Sequence, residues 1–123
     1  MKMIREYGNW IEYRQRFNLS KEDEIDLHFG RRDRDEPYEN VMADVAERVT
    51  RQLQKAQENG RPYIMFVHGH STSRPGQTSA RSVVRGLMRS PETTPLIEIA
   101  KCIQHPSVFV AKIRQSSQVD RGP

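Results

Sequence analysis

Residues 63–90 read YIMFVHGHSTSRPGQTSARSVVRGLMRS. "YIMFV" (63–67) is an unbroken apolar run of strand length, the pattern of a strand buried on both faces. It runs into His68-Gly69-His70 and a loop of small and polar residues. An amphipathic pattern follows: Ala80, Val83, Val84, Leu87 and Met88 mark one helical stripe, with Thr78 or Ser79 as its cap. "SPETTP" (90–95) stops that helix. A strand feeding a Ser/Thr/Gly loop and then a helix start is the arrangement that offers backbone N–H groups to an anion.

Upstream, "EIDLHF" (24–29) alternates with period two, so Ile25, Leu27 and Phe29 share one face and Asp26 and His28 the other. "GRRDRDEPYEN" (30–40) is a charged loop. From Pro37 the spacing turns helical, with Val41, Val45, Val49, Leu53 and Ala56 on one stripe. Gly60 stands where a helix ends in a left-handed residue. The strand–helix–strand unit predicts two parallel, adjacent strands. Downstream, "LIEIAKCIQ" (96–104) and "SVFVAKIR" (107–114) read as two further strands around His105-Pro106, with a short helix at 96–103 as the alternative. Residues 1–23 read as a largely helical arm carrying Tyr7, Trp10, Tyr13 and Phe17. Residues 115–123 read as a disordered tail. The expected fold is an α/β domain of order βαβαββ over residues 24–114, preceded by the arm.

The 123 residues, 35% hydrophobic and 29% charged, suit one domain with a single core. No apolar stretch approaches the roughly 20 residues of a membrane span. MKMIREYGNW has no signal-peptide core, so a cytoplasmic protein is expected. Cys102, the lone cysteine, excludes an internal disulfide and a Cys-based zinc site, and reads as a half-buried strand thiol.

Charge is uneven. Residues 1–60 carry 11 Lys/Arg against 13 Asp/Glu, and residues 61–123 carry 9 against 3. Between 61 and 90 stand Arg61, Arg74, Arg81, Arg85 and Arg89 with no acid among them. An acid-free basic stretch around a loop points to an anionic partner, DNA or RNA first and a phosphorylated small molecule second.

In a parallel pair the loops that follow the strands gather at one end. That places Asp26-Leu27-His28 beside His68-Gly69-His70, where one crevice could receive all four polar groups. A serine-nucleophile elbow needs G-x-S-x-G, and Ser73 occupies the place of its second glycine. A Walker loop needs G-x-x-x-x-G-K-[ST], and the spacing from Gly69 to Gly76 and Gln77 do not supply it. A looser phosphate cradle remains, formed by Gly69, His70, Ser71 and Thr72 with Arg74, Arg81 and Arg85. A metal site from Asp26, His28, His68 and His70 is chemically admissible but has no specific spacing.

These two motifs resemble those of the small MutS-related (Smr) domain family. "IDLHF" (25–29) is similar to its L-D-L-H-G, and "FVHGHSTS" (66–73), followed by an arginine-bearing helix, to its H-G-x-G-x-G loop. Phe29 stands where the first motif has glycine, His70-Ser71 where the loop runs Lys-Gly, and Ser73 at the last glycine. The resemblance implies that the α/β domain is a two-layer βαβαββ sandwich like the C-terminal domain of bacterial translation initiation factor three, with nucleic-acid binding and DNA-nicking or RNA-cleaving endonuclease chemistry. It implies catalytic roles for Asp26, His28 and His68; the cofactor is left open, with a divalent metal, magnesium or manganese, as the candidate. A histidine of ordinary pKa, near 6.5, would serve as general base or acid. The alternatives are a non-catalytic nucleic-acid-binding module and an enzyme for a small phosphorylated ligand.

Overall fold

A computed structural model describes residues 3–27, 38–69 and 80–115. His28, Phe29, Pro37, His70–Ser79 and the tail from residue 116 lie outside the described residues, as does the side chain of Val41. The strands are β1 (Ile4–Arg5), β2 (Glu24–Asp26), β3 (Tyr63–Val67), β4 (Ile103–Gln104) and β5 (Val108–Lys112). The helices are α1 (Tyr13–Arg16), α2 (Tyr38–Glu58) and α3 (Ala80–Met88). Among the described residues no helix is long and apolar enough to cross a membrane.

The strands form one mixed sheet in the order β1-β4-β5-β3-β2. β2 and β3 are parallel neighbours joined through α2, as the strand–helix–strand pattern predicts, with Ile25 opposite Phe66 and Asp26 opposite Val67. β5 runs antiparallel to both β3 and β4. Every residue of β3 from Ile64 to Val67 is buried, because α-helices cover one face and the N-terminal arm covers the other. Ile64 and Phe66 join the cluster under α2 and α3, with Val45, Val49, Leu53, Ala56, Val84 and Met88. Met65 and Val67 join Tyr13, Ile103, Val108 and Val110 beneath Trp10, Phe17 and Leu19. The alternation of β3 thus serves two cores, which is why its sequence shows no polar face.

α2 ends as its glycine predicts. Gly60 sits at φ +69°, and the Arg61 N–H donates back to the Ala56 carbonyl at 2.9 Å, which satisfies a helix-terminal acceptor. α3 is stopped by Ser90 and Thr93, whose hydroxyls donate to the Leu87 carbonyl at 2.7 and 2.8 Å.

Three expectations change. The arm is helical at Trp10–Glu12 and Tyr13–Arg16, but it begins with a strand. β1 pairs in parallel with β4, Ile4 opposite Ile103 and Arg5 opposite Gln104. Two residues show no periodicity, so only the partner strand makes them one. Residues 96–104 are not a continuous strand: an isolated Ile97–Ile113 bridge precedes a 3-10 turn at Ile99–Lys101, and pairing resumes at β4. Cys102, at the end of that turn, is fully buried rather than half-buried. Burial pushes its thiol up to about 11, which removes it from thiolate chemistry near neutral pH.

The arm is held by polar contacts as well as by apolar packing. The Tyr13 hydroxyl donates to Glu6 at 2.9 Å, and Arg16 makes a forked pair with the same carboxylate. Nε2–H of the buried His105 donates to the Gly8 carbonyl at 2.7 Å while its Nδ1 accepts from the Ser107 N–H at 3.0 Å. Both ring nitrogens are satisfied, so His105 is a structural tie between arm and sheet. Gln115, the first residue of the expected tail, is also tied down, donating to the Arg61 carbonyl at 3.1 Å.

Candidate phosphate-binding site

Parallel pairing of β2 and β3 brings the ends of the two motifs together. The Leu27 N–H donates to the Val67 carbonyl at 2.9 Å, so the chain continues past Asp26 alongside the exit of β3. The faces differ. Ile25 and Leu27 enter the core under the helices, so alternation turns the exposed Asp26 toward the arm side. His68 follows Val67, which faces the arm, and therefore turns toward α3, where Arg81 and Arg85 act on its ring. Asp26 and His68 are neighbours in register on opposite faces, so the single crevice expected for all four polar groups does not include both. His28 and His70 lie outside the described residues.

His68 is 4% exposed. Its Nδ1 lies 2.9 Å from the Gly69 carbonyl, a contact that requires the proton on Nδ1 and leaves Nε2 as the acceptor. Among the described residues that buried Nε2 has no hydrogen-bond partner. Burial, assisted by the positive charges of Arg85 and Arg81, lowers the ring's pKa to about 4. The ordinary histidine titration expected from the sequence therefore does not apply: at neutral pH the ring is uncharged, an acceptor and not a proton donor from Nε2.

Gly69 takes φ +85°, a conformation that a side chain disfavours. Its N–H and that of His68 both donate to the Ser107 carbonyl, at 3.0 and 3.1 Å. The chain is thereby turned sharply off β3 toward the segment 70–79. Ser71, Thr72 and Arg74, the other cradle residues expected from the sequence, lie in that segment, outside the described residues.

α3 brings up the arginines. Arg81 Nη1 donates to the Pro106 carbonyl at 3.4 Å and Arg85 Nη2 to the His105 carbonyl at 3.5 Å, both long contacts. Arg85 Nε is buried with no partner among the described residues. Burial comes first among the causes that lower the Arg85 pKa, followed by the charges of Arg81, Arg89 and Arg5. Among the described residues no carboxylate pairs with Arg5, Arg81, Arg85 or Arg89. Like charges held together around a partly buried member are unfavourable unless an anion joins them.

Arg61 leaves the group. It pairs with Asp23 and Glu22 from the turn before β2, so it fastens two segments and does not belong to the acid-free surface. Arg5, in contrast, joins it through the β1–β4 pairing. Arg81, Arg85 and Arg89 belong to the acid-free basic stretch read from the sequence, and their i, i+4, i+8 spacing is the further signal that could have grouped them; Arg5 carries no such signal. Among the described residues no cluster of three or more His, Cys, Asp and Glu is arranged to hold a metal ion.

No family model matches the chain, and neither the curated proteins nor the solved structures contain a significant match. The functional reading therefore rests on this geometry and on the motif resemblance.

Proposed function

We propose that the protein is an Smr-like nucleic-acid-binding domain whose phosphate-contact surface is built from the exit of β3 and the arginine face of α3. One observation carries this reading: Arg81, Arg85 and Arg89 converge with Arg5 beside a buried, uncharged histidine, without a carboxylate among the described residues to balance them. Phosphodiester oxygens supply the missing negative charge, and guanidinium groups match them with forked hydrogen bonds. Binding should weaken steeply with salt. With four phosphates neutralised, log affinity falls with log salt at a slope of about −3 on single strands. A flat response, measured by fluorescence anisotropy between low and physiological salt, would falsify this reading.

The unpartnered Nε2 of His68 favours a second activity at the same site, phosphodiester cleavage. In its neutral form Nε2 takes the proton of the attacking hydroxyl or water as the P–O bond to the leaving oxygen breaks. Arg81 and Arg85 stabilise the charge on the phosphoryl oxygens, and a bound anion offsets the arginine charges and so raises the basicity of the ring. Asp26, on the opposite face of the strand ends, takes no part in this step, and a requirement for magnesium or manganese is tested directly. Labelled single- and double-stranded DNA and RNA, with and without either metal, provide the assay. Cleavage is expected to be lost in His68→Asn; loss in the double variant Asp26→Ala/His28→Ala instead would put the chemistry on the opposite face of the strand ends. Wild-type protein that binds but cuts none of these substrates would leave a binding module.

A further inference from the structure

A cavity of about 230 Å³ opens between β1, β4 and the end of α3, lined by Arg5, Tyr7, Arg85, Arg89, Gln104 and Pro106. None of its wall comes from the strand-end motifs, and Arg5 and Tyr7 lie outside the acid-free basic stretch of residues 61–90. We infer that this cavity receives the terminal phosphate of a nucleic-acid strand, with Tyr7 at its mouth to stack on the adjoining base.

The charge of the cavity points to a phosphate monoester. Arg5 comes from the edge strand, Arg85 from α3 and Arg89 from the turn after it, so three separate backbone anchors aim guanidinium groups at one space. Arg85 keeps a buried Nε donor unpartnered among the described residues. An internal phosphodiester carries one negative charge, whereas a monoester carries about −1.5 to −2 at neutral pH and offers three acceptor oxygens. Such a concentration of guanidinium charge matches the monoester better.

Size and rim agree with an end group. The cavity is smaller than the roughly 300–1,000 Å³ of sites that enclose a whole small molecule, so a phosphate enters and the base stays outside. Tyr7 is 76% exposed and lines the rim, so its ring is open to a group outside the cavity. Stacking on a base is the use that fits beside a phosphate pocket. The inference rests on the nucleic-acid reading above and specifies what one part of that surface, around Arg5, Arg85 and Arg89, receives.

The full-length chain is titrated with one labelled single-stranded oligonucleotide prepared with a 5′-phosphate, a 3′-phosphate or hydroxyls at both ends. Adenosine monophosphate serves as a separate ligand. One phosphorylated strand is expected to bind about tenfold tighter than the hydroxyl-ended strand, a difference in the range of one charge-assisted contact. Arg5→Ala and Arg89→Ala, both at exposed positions, should each abolish that preference. Arg51→Ala, which removes a charge paired with Glu47 on the far helix, should leave it intact. Tyr7→Ala should weaken all three strands if the ring stacks on a base. Equal affinity of the wild-type protein for the three strands overturns the terminal-phosphate assignment while leaving nucleic-acid binding in place. Binding of the mononucleotide alone overturns the strand-end assignment and, with it, the nucleic-acid reading. Binding of none of them overturns both.

Discussion

His68 and Gly69 show how much two adjacent residues can fix. The histidine is folded in its neutral form with its pKa lowered to about 4, against about 6.5 in an unfolded chain. Between those values the unfolded state binds the extra proton, so stability is complete above pH 6.5 and declines as the pH falls toward 4. The slope contributed by this one group approaches 1.4 kcal/mol per pH unit within the window. His68→Asn, which keeps a donor for the Gly69 carbonyl but does not titrate, should flatten the acid side of a urea-midpoint profile measured from pH 7 to 4. Unchanged pH dependence would mean that His68 is not a buried neutral base. Gly69→Ala meets a different obstacle. Its φ of +85° disfavours any Cβ, so a loss of about 1–2 kcal/mol is expected in denaturant titration. A loss of binding beyond that fall in stability would show that the turn also positions the strand-end site.

Element by element, α3 does two jobs that conflict. Its apolar stripe, with Val84 and Met88 buried and Val83 and Leu87 partly so, docks it on the sheet. Its other face holds Arg81 and Arg85, with Arg89 just beyond its end, and the partly buried Arg85 is opposed by the others. Arg85→Met keeps the long apolar stem and removes the charge. The free protein should then gain about 0.5 kcal/mol, from relief of like-charge i, i+4 contacts, and the gain should shrink as salt is added. The same variant should bind nucleic acid more weakly. A variant destabilised at low salt would contradict the reading of Arg85 as held for a ligand and not for the fold. The helix itself was legible in its 3.6-residue period. The long contacts from its arginines to the Pro106 and His105 carbonyls were not, because they cross between elements 20 or more residues apart.

For the whole molecule the decisive feature is that one sheet carries two cores. The helix-side core could be read from the stripes of α2 and α3, but the second depends on residues 3–19 returning across the sheet. Tyr13 is buried in it, Phe17 stacks near Tyr63 with ring centroids 4.4 Å apart, and β1 completes the edge beside β4. Removing residues 1–19 would uncover Met65, Val67, Ile103, Val108 and Val110 together. The shortened chain should therefore aggregate or lose cooperative unfolding, monitored by size-exclusion chromatography and circular dichroism. A monomeric, cooperatively folding 20–123 fragment would show that the arm is dispensable.

Local pattern was enough for the elements whose side chains repeat: the buried strand 63–67, the stripes of α2 and α3, the glycine at 60 and the parallel pairing through α2. It was also enough to bring the two motif ends together, since parallel neighbours finish at the same edge. It could not assign β1 or the interrupted segment 96–104, because strands of two residues have no period and exist only through their partners. Nor could it sort the site. Alternation along two paired strands sends Asp26 and His68 to opposite faces, burial decides that the histidine is neutral, and the β1–β4 pairing delivers Arg5 to Arg85 and Arg89. Periodicity is a property of one segment, whereas electrostatics and burial depend on which segments meet, and that is settled by the tertiary fold.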